Sequence, residues 1–80
     1  MSEHLIHATL PGTFYRRPSP DAAPYVAEGS QVEAATVIGC IEVMKQFNEI
    51  TAEHSGRLLS FLLEDGDAVE AGQVVAKVVS

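Results

Sequence analysis

Short apolar segments alternate with turn residues along the whole chain. Residues 48–53 alternate strictly, with Ile50 and Ala52 on one face and polar side chains on the other, which is the period of a half-buried β-strand. Residues 37–44 are apolar almost throughout. A buried helix can show the same hydrophobicity, but the length of this run, its β-branched residues and Gly39 favour a strand. Turn signals lie at 11–12, 18–24, 28–30, 54–56, 65–67 and 71–72. Short strands at this spacing predict an all-β sandwich or barrel.

The chain also contains an internal repeat. Residues 29–38 align without a gap on residues 66–75, at an offset of 37 positions, and Gly12 aligns with Gly56 at an offset of 44. The seven-residue difference places a short insertion in the first half, between Gly12 and Gly29. A duplicated β unit of this size predicts two small antiparallel sheets related by a pseudo-twofold axis. Each half is expected to supply one hydrophobic face and to be unable to fold alone.

Composition narrows the class of protein. The 80 residues make one domain, residues 1–80, and 46% of them are hydrophobic, as in a globular rather than a disordered chain. A single cysteine excludes an internal disulfide. The net charge of −6 and the scattered basic residues argue against nucleic acid as a partner. The N-terminus lacks the pattern of a signal peptide, and no apolar run approaches about 20 residues. We therefore expect a cytoplasmic chain without a membrane partner.

One lysine lies at the midpoint of the repeat. Residues 42–49 join the last strand of the first half to the first strand of the second, so the duplication places Lys45 at the tip of a hairpin. An amine at such a tip projects into water, and lysine amines are common targets of acylation. Because a protonated amine is a weak nucleophile, the modifying enzyme must supply an activated acyl donor.

The residues around Lys45 resemble a known attachment loop. Residues 42–45, Glu-Val-Met-Lys, followed by Asn-Glu-Ile at 48–50, are similar to the loop of the biotin carboxyl carrier family, whose lysine takes biotin in amide linkage. Residues 11–16 followed by Pro-Ser-Pro-Asp at 18–21 resemble the region of acetyl-CoA carboxylase carriers that leads into the thumb, an insertion that folds over the biotin ring. The resemblance spans about residues 8–80 and places the thumb where the repeat places the insertion.

This resemblance implies a fold and a set of site residues. The implied fold is a flattened β-barrel or sandwich of two four-stranded antiparallel sheets with pseudo-twofold symmetry (a barrel-sandwich hybrid), with Lys45 on a hairpin turn and covalent biotin on its amine. The other residues carried over are Met44, Glu42 and Gln46 for recognition by biotin protein ligase, and Arg17, Pro18, Ser19, Pro20 and Asp21 for a thumb at about 16–24. Two positions depart from the family pattern. Val43 replaces Ala, which is a mild change. Gln46 replaces Met or another apolar residue, and this replacement is expected to slow or relax modification.

The resemblance also implies a function. Biotin on Lys45 would be carboxylated by biotin carboxylase and would deliver the carboxyl group to a carboxyltransferase, and the thumb favours acetyl-CoA as the acceptor, in fatty acid biosynthesis. The chain itself would catalyse nothing. One alternative is a lipoyl carrier domain of a 2-oxoacid dehydrogenase complex, against which Met44 and the Pro-rich insertion count, because the lipoyl lysine usually follows Asp. Another alternative is an assembly module that is never modified. The departure from the family pattern at Gln46 is compatible with it.

The other residues whose side chains could take part in catalysis or ligand binding are expected to have ordinary structural roles. Cys40 is expected to be a buried thiol without a catalytic role, and the three histidines (His4, His7 and His54) lack the spacing of metal ligands. The Asp65-Gly66-Asp67 run lacks the later ligands of a calcium loop and is expected to be a β-turn. Phe14 and Phe61 are expected in the core, whereas Phe47 fits both an exposed contact and a packed position. Arg16 and Arg17 are expected to be a solvated pair.

Overall fold

Eight short β-strands carry the apolar segments that the pattern predicts. The structure is a computed structural model, and it describes residues 2–19 and 21–80. Over these residues all regular structure is β-strand. The strands are β1 (Glu3–His7), β2 (Gly12–Tyr15), β3 (Gln31–Val32), β4 (Val37–Val43), β5 (Gln46–Thr51), β6 (Gly56–Phe61), β7 (Asp67–Val69) and β8 (Val74–Val79). No helix that could span a membrane is present in the described part of the chain.

The strands form two four-stranded antiparallel sheets, which confirms the predicted fold class. One sheet has the order β1-β8-β6-β3 and the other β5-β4-β2-β7. The two orders correspond strand by strand: β1 to β5, β8 to β4, β6 to β2 and β3 to β7. Each strand thus has its counterpart four strands away in the chain, as a pseudo-twofold axis requires. The expectation that each half supplies one hydrophobic face is wrong, because each sheet takes two strands from each half. The halves interlock since β1 pairs with β8 and β2 with β7.

The hydrogen bonds repeat with the sequence. The amide of Gly29 donates to the carbonyl of Leu58 at 2.6 Å, and the amide of Gly66 donates to the carbonyl of Phe14 at 2.8 Å. Gly66 lies 37 positions after Gly29, and Leu58 lies 44 positions after Phe14. These are the two offsets of the repeat, so the pseudo-twofold axis relates the two contacts.

Two glycines of the repeat mark close backbone crossings. A Cβ atom at Gly12 would collide with the carbonyl oxygen of Glu42, and one at Gly56 would collide with the carbonyl oxygen of Val79. Glu42 and Val79 are themselves 37 positions apart, so both collisions are the same contact in the two halves. Glycine is required at both positions because any side chain would separate neighbouring strands.

The core lies between the two sheets. Phe14 is its largest fully buried side chain, and it pairs with Ile41 across β2 and β4. Of the residues with described burial, no polar or charged one is fully buried. The buried cluster is Ile6, Ala8, Phe14, Val32, Ile38, Ile41, Ile50, Ala52, Leu58, Val69, Val75, Ala76 and Val78. Ile50 and Ala52 are both members, as their alternation predicts.

The two halves differ in one connection. Residues 16–30 join β2 to β3, whereas residues 62–66 alone join the equivalent strands β6 and β7. We call residues 16–30 the long connection. It starts on the sheet that carries β4 and β5, and these strands form the hairpin that presents Lys45.

Candidate functional site

Met44 and Lys45 are the two central residues of the turn between β4 and β5. Val43 and Gln46 pair directly on either side of them, so the loop has the minimum length for a hairpin. Met44 has φ of 51° and Lys45 has φ of 66°. Positive φ at both positions is the signature of a type I′ turn, whose twist matches that of the flanking strands. Neither residue is glycine, so the hairpin stabilises a backbone conformation that costs each residue about 1–2 kcal/mol.

The amine of Lys45 is accessible at this tip. Lys45 is exposed, and within the described residues its ammonium group has no hydrogen-bond or ion-pair partner. Met44 beside it is 92% exposed, and Phe47 two residues later is 55% exposed. An acyl group can therefore be joined to the Lys45 amine without breaking a contact of the fold. The geometry fits the amide attachment of biotin, which needs an amine with free space around it.

A cleft of about 570 Å³ lies beside the hairpin. Glu42 and Phe47 face each other across β4 and β5, and both contribute to the cleft wall. The lining residues are Tyr15, Arg17, Pro18, Ser19, Glu42, Phe47 and Asp65. The aromatic and proline side chains make the cleft largely apolar, with charged groups among them. Such a lining suits a small ring that carries a few polar atoms.

The structure brings part of the predicted site together at this cleft. Arg17, Pro18 and Ser19 of the predicted thumb meet Glu42 of the hairpin there. Met44 and Gln46 lie at the exposed tip of the hairpin instead. Asp21 is exposed and does not line the cleft. Pro20 lies outside the described residues.

The start of the long connection packs onto the sheet that bears the hairpin. The thiol of Cys40 in β4 donates a hydrogen bond to the carbonyl of Arg17 at 3.7 Å. The amide of Tyr25 donates to the carbonyl of Arg16 at 2.9 Å, which closes residues 16–25 into a loop. This part of the connection therefore has defined contacts with β4 and with itself.

Arg16 and Arg17 each contact a partner within the chain, so the expectation that they form a solvated pair is wrong. The Nε atom of Arg17 lies 3.1 Å from Oδ2 of Asp65, and the guanidinium of Arg16 lies 4.2 Å from the ring centroid of Phe61, a cation–π distance. Asp65 and Phe61 come from the second half of the chain, so only the interlocking of the two halves brings these partners to the arginines.

Tyr15 and Asp65 are cleft residues that sequence reasoning missed. Tyr15 had a usable signal, because Phe14 belongs to the core and adjacent residues of a strand face opposite sides of a sheet. The sequence signal for Asp65 was weaker: the pseudo-twofold axis places the turn after β6 next to β2. The rings of Tyr15 and Phe47 lie 6.4 Å apart, which shows that Phe47 contacts a neighbouring side chain while it stays half exposed.

Cys40 is a buried thiol, as expected. Its side chain is fully buried, and burial raises the pKa of the Cys40 thiol, with the carboxylates of Glu49, Asp65 and Glu42 acting in the same direction. Burial, with Cys40 beside it, likewise raises the pKa of Tyr25 to about 12. A thiol whose pKa is raised holds little thiolate, which is the form that reacts.

Cys40 is therefore expected to react slowly with thiol reagents. With 5,5′-dithiobis(2-nitrobenzoate) at pH 8, we expect the native chain to react at least about 100-fold more slowly than the same chain in guanidinium chloride, because reaction of the buried thiolate requires opening of the fold. The absorbance of the released thionitrobenzoate measures both rates. A rapid burst of one equivalent from the native chain would contradict the buried position.

The histidines show no metal-binding arrangement. His4 and His54 stack with ring centroids 3.8 Å apart and an angle of 7° between the rings. The Nε2 atom of His4 lies 3.0 Å from the hydroxyl oxygen of Ser80. Among residues 2–19 and 21–80 no group of three or more potential metal ligands occurs.

Comparisons with known proteins identify the family. The model of the family described as "Biotin-requiring enzyme" matches residues 4–78. The biotin carboxyl carrier protein of acetyl-CoA carboxylase from Haemophilus influenzae is 40% identical over 70 residues, which cover 88% of this chain and 45% of that protein. The protein of the same name from Pseudomonas aeruginosa is 35% identical over 79 residues, covering 99% and 51%. The chain thus spans about half the length of these curated relatives.

Solved structures agree with this assignment. Urea carboxylase from Kluyveromyces lactis superposes with a TM-score of 0.81 and 32% identity, covering 99% of this chain and 6% of that one. A single-chain, multi-domain long-chain acyl-CoA carboxylase superposes with a TM-score of 0.77 at 23% identity, covering 94% and 7%, and it shows the fold alone. Because the family model matches residues 4–78 of the 80-residue chain, the chain belongs to the family of biotin-requiring enzymes.

Proposed function

We propose that Lys45 carries covalent biotin and that the chain acts as the biotinyl carrier domain of an acetyl-CoA carboxylase. The observation that carries this proposal is the position of the Lys45 amine, exposed at the tip of a two-residue turn and without a partner among the described residues. Met44 before it and the acidic Glu42 complete the motif that resembles the family's attachment loop.

The carrier body supports a tethered group. When bound to Lys45, biotin supplies a ring nitrogen that accepts and releases a carboxyl group. The lysine stem projects from a short, rigid hairpin, so the arm sweeps a limited volume around the tip. Tethering raises the effective concentration of the ring at a docked partner without tight binding between the proteins. The proposed partners in this cycle are biotin carboxylase and a carboxyltransferase.

The hairpin tip is also the proposed recognition surface for biotin protein ligase. Met44 and Gln46 flank Lys45 and are both exposed, so a ligase can contact them together with the amine. Glu42 is half-buried beside the cleft and offers a carboxylate at the base of the tip. Since Gln46 adds polarity where the family has an apolar residue, we expect slower loading rather than loss of loading.

The proposed thumb, residues 16–24, holds the ring when no partner is engaged. Support for this comes from the cleft, which Pro18 and Ser19 line together with Phe47. Tyr15 contributes a second aromatic side chain to the same cleft. A segment with prolines at positions 18, 20 and 24 loses little backbone entropy when it covers a ligand.

The proposed acceptor of the carboxyl group is acetyl-CoA. The curated relatives are named as carriers of acetyl-CoA carboxylase, whereas the structure with a TM-score of 0.81 is a urea carboxylase. Reconstitution separates these acceptors. The biotinylated chain is added to the biotin carboxylase and carboxyltransferase of an acetyl-CoA carboxylase, without their own carrier. It is expected to restore formation of malonyl-CoA, the precursor for fatty acid biosynthesis. Failure to restore it would remove acetyl-CoA as the acceptor.

The intact mass of the chain from its native host tests the carrier function itself. We expect an increment of one biotinyl group, mapped by tandem mass spectrometry to Lys45. A lipoyl increment would assign the chain to the 2-oxoacid dehydrogenase carriers. The unmodified mass, in cells whose other biotin proteins are loaded, would contradict a carrier role.

A further inference from the structure

Asp65 binds the first two residues of the long connection. Its Oδ1 atom accepts a hydrogen bond from the backbone amide of Arg16 at 2.6 Å, and its Oδ2 atom accepts one from Nε of Arg17 at 3.1 Å. Both oxygens of one carboxylate are thus used on adjacent residues. Two contacts of this kind restrict the position and the direction in which the chain leaves β2.

These two residues are also the base of the predicted thumb. The carbonyl of Arg16 accepts the amide of Tyr25 at 2.9 Å, and the Nη1 atom of Arg17 donates to the carbonyl of Ala22 at 3.3 Å. The described residues 18–19 and 21–24 therefore extend from a base whose orientation depends on Asp65. Since Arg17, Pro18 and Ser19 line the cleft, the same contacts help to position part of its lining.

Asp65 is itself held by a defined turn. The amide of Asp67 donates to the carbonyl of Glu64 at 3.1 Å, and the amide of Glu64 donates to Oδ2 of Asp67 at 2.9 Å. The next residue, Gly66, donates its amide to the carbonyl of Phe14, which ties the turn to β2. The carboxylate is therefore presented from a fixed point that lies outside both the thumb and the lysine hairpin.

We propose that Asp65 is a positioning residue, which holds the base of the thumb so that the cleft beside Lys45 is formed before the arm enters it. The proposal rests on the proposed function for the identity of the arm, but its structural part concerns this chain alone. Asp65 acts through Arg16 and Arg17 and has no part in attaching or transferring a group.

Limited digestion of the unmodified chain by trypsin tests the structural part. Trypsin does not cleave before proline, so the bond after Arg17 is protected by Pro18 and the bond after Arg16 becomes the reporter of an opened thumb. We expect Asp65→Ala to speed cleavage after Arg16 by about tenfold, the effect of losing roughly 1.4 kcal/mol of hydrogen bonding. Asp65→Asn keeps an oxygen that can accept the Arg16 amide, so a smaller increase is expected. Glu33→Ala, which removes an exposed carboxylate away from the cleft, is the matched control.

The same digest separates positioning from general stability. Trypsin can also cut after Lys45, which is exposed at the hairpin tip, so initial rates are compared and this site is expected to react equally in all variants. Arg57 and Lys77 lie within β6 and β8, so their cleavage reports global unfolding. Faster cleavage after Arg16 alone supports the proposal. An equal increase at Arg16, Arg57 and Lys77, or no increase at Arg16, would overturn it.

The accessibility of biotin on Lys45 gives a second measurement, which should not change if Asp65 only stabilises the fold. With chains biotinylated by biotin protein ligase, we measure the association rate with streptavidin by stopped flow. We expect this rate to be several-fold higher in Asp65→Ala than in the wild type, because the ring is released from the cleft, whereas Glu33→Ala stays at the wild-type rate. Equal rates in all three chains would overturn the role in holding the ring. If no chain is biotinylated, the proposed function fails, and the digest alone decides the role of Asp65.

Discussion

Lys45→Arg is expected to abolish biotin attachment completely and to leave the fold intact. A guanidinium does not form the amide bond that an amine forms with an activated carboxyl group, although arginine keeps the positive charge. Because Lys45 is exposed and unpaired among the described residues, the free energy of unfolding should change by less than about 0.5 kcal/mol. Intact mass after incubation with biotin protein ligase, biotin and ATP measures the attachment.

The chain offers a matched control for this substitution. Lys77 is its one other lysine, and it lies half-buried within β8. Lys77→Arg is expected to gain one biotinyl group as the wild type does. A biotinyl increment that survives in Lys45→Arg would show that the attachment site is assigned to the wrong residue.

Phe14→Ala is expected to destabilise the fold by about 3–5 kcal/mol, the range for removing a buried aromatic side chain. Phe14 is fully buried between the sheets, and its ring lies 6.0 Å from that of Phe61. A Cβ atom at Gly39 would come within 2.9 Å of the Phe14 ring, so the ring already fills the space above that glycine. Small domains have little stability to lose, and most molecules of the variant should be unfolded at 37 °C. Urea denaturation followed by circular dichroism measures the change.

Phe47→Ala is the control of the same chemical type. Phe47 is 55% exposed, so its truncation removes little buried surface and should cost less than about 1 kcal/mol. A similar loss of stability in both variants would show that the core is not centred on Phe14. A wild-type midpoint for Phe14→Ala would show the same.

The sequence by itself determined the strands, the duplication and the candidate attachment residue. Alternation along 48–53 and the apolar run at 37–44 predict β5 and β4, because the two-residue period of a strand is written into consecutive side chains. The repeat predicts the pseudo-twofold axis and the location of the additional connection. The motif around Lys45 is similarly local, so its residues were recognisable without a structure, while its modification stays a prediction.

Only the tertiary structure decided how the halves interlock and what surrounds the lysine hairpin. Each sheet takes strands from both halves, and this exchange brings Asp65 to Arg17 across 48 positions of the chain. It also places Arg16 on Phe61 and makes a cleft from β2, β4, β5 and two connections. Contacts of this kind leave no period in the sequence, because they depend on which strands pair and on the loop conformations that the pairing allows. Side-chain alternation specifies which face a residue takes, but it does not specify which distant residue meets it there.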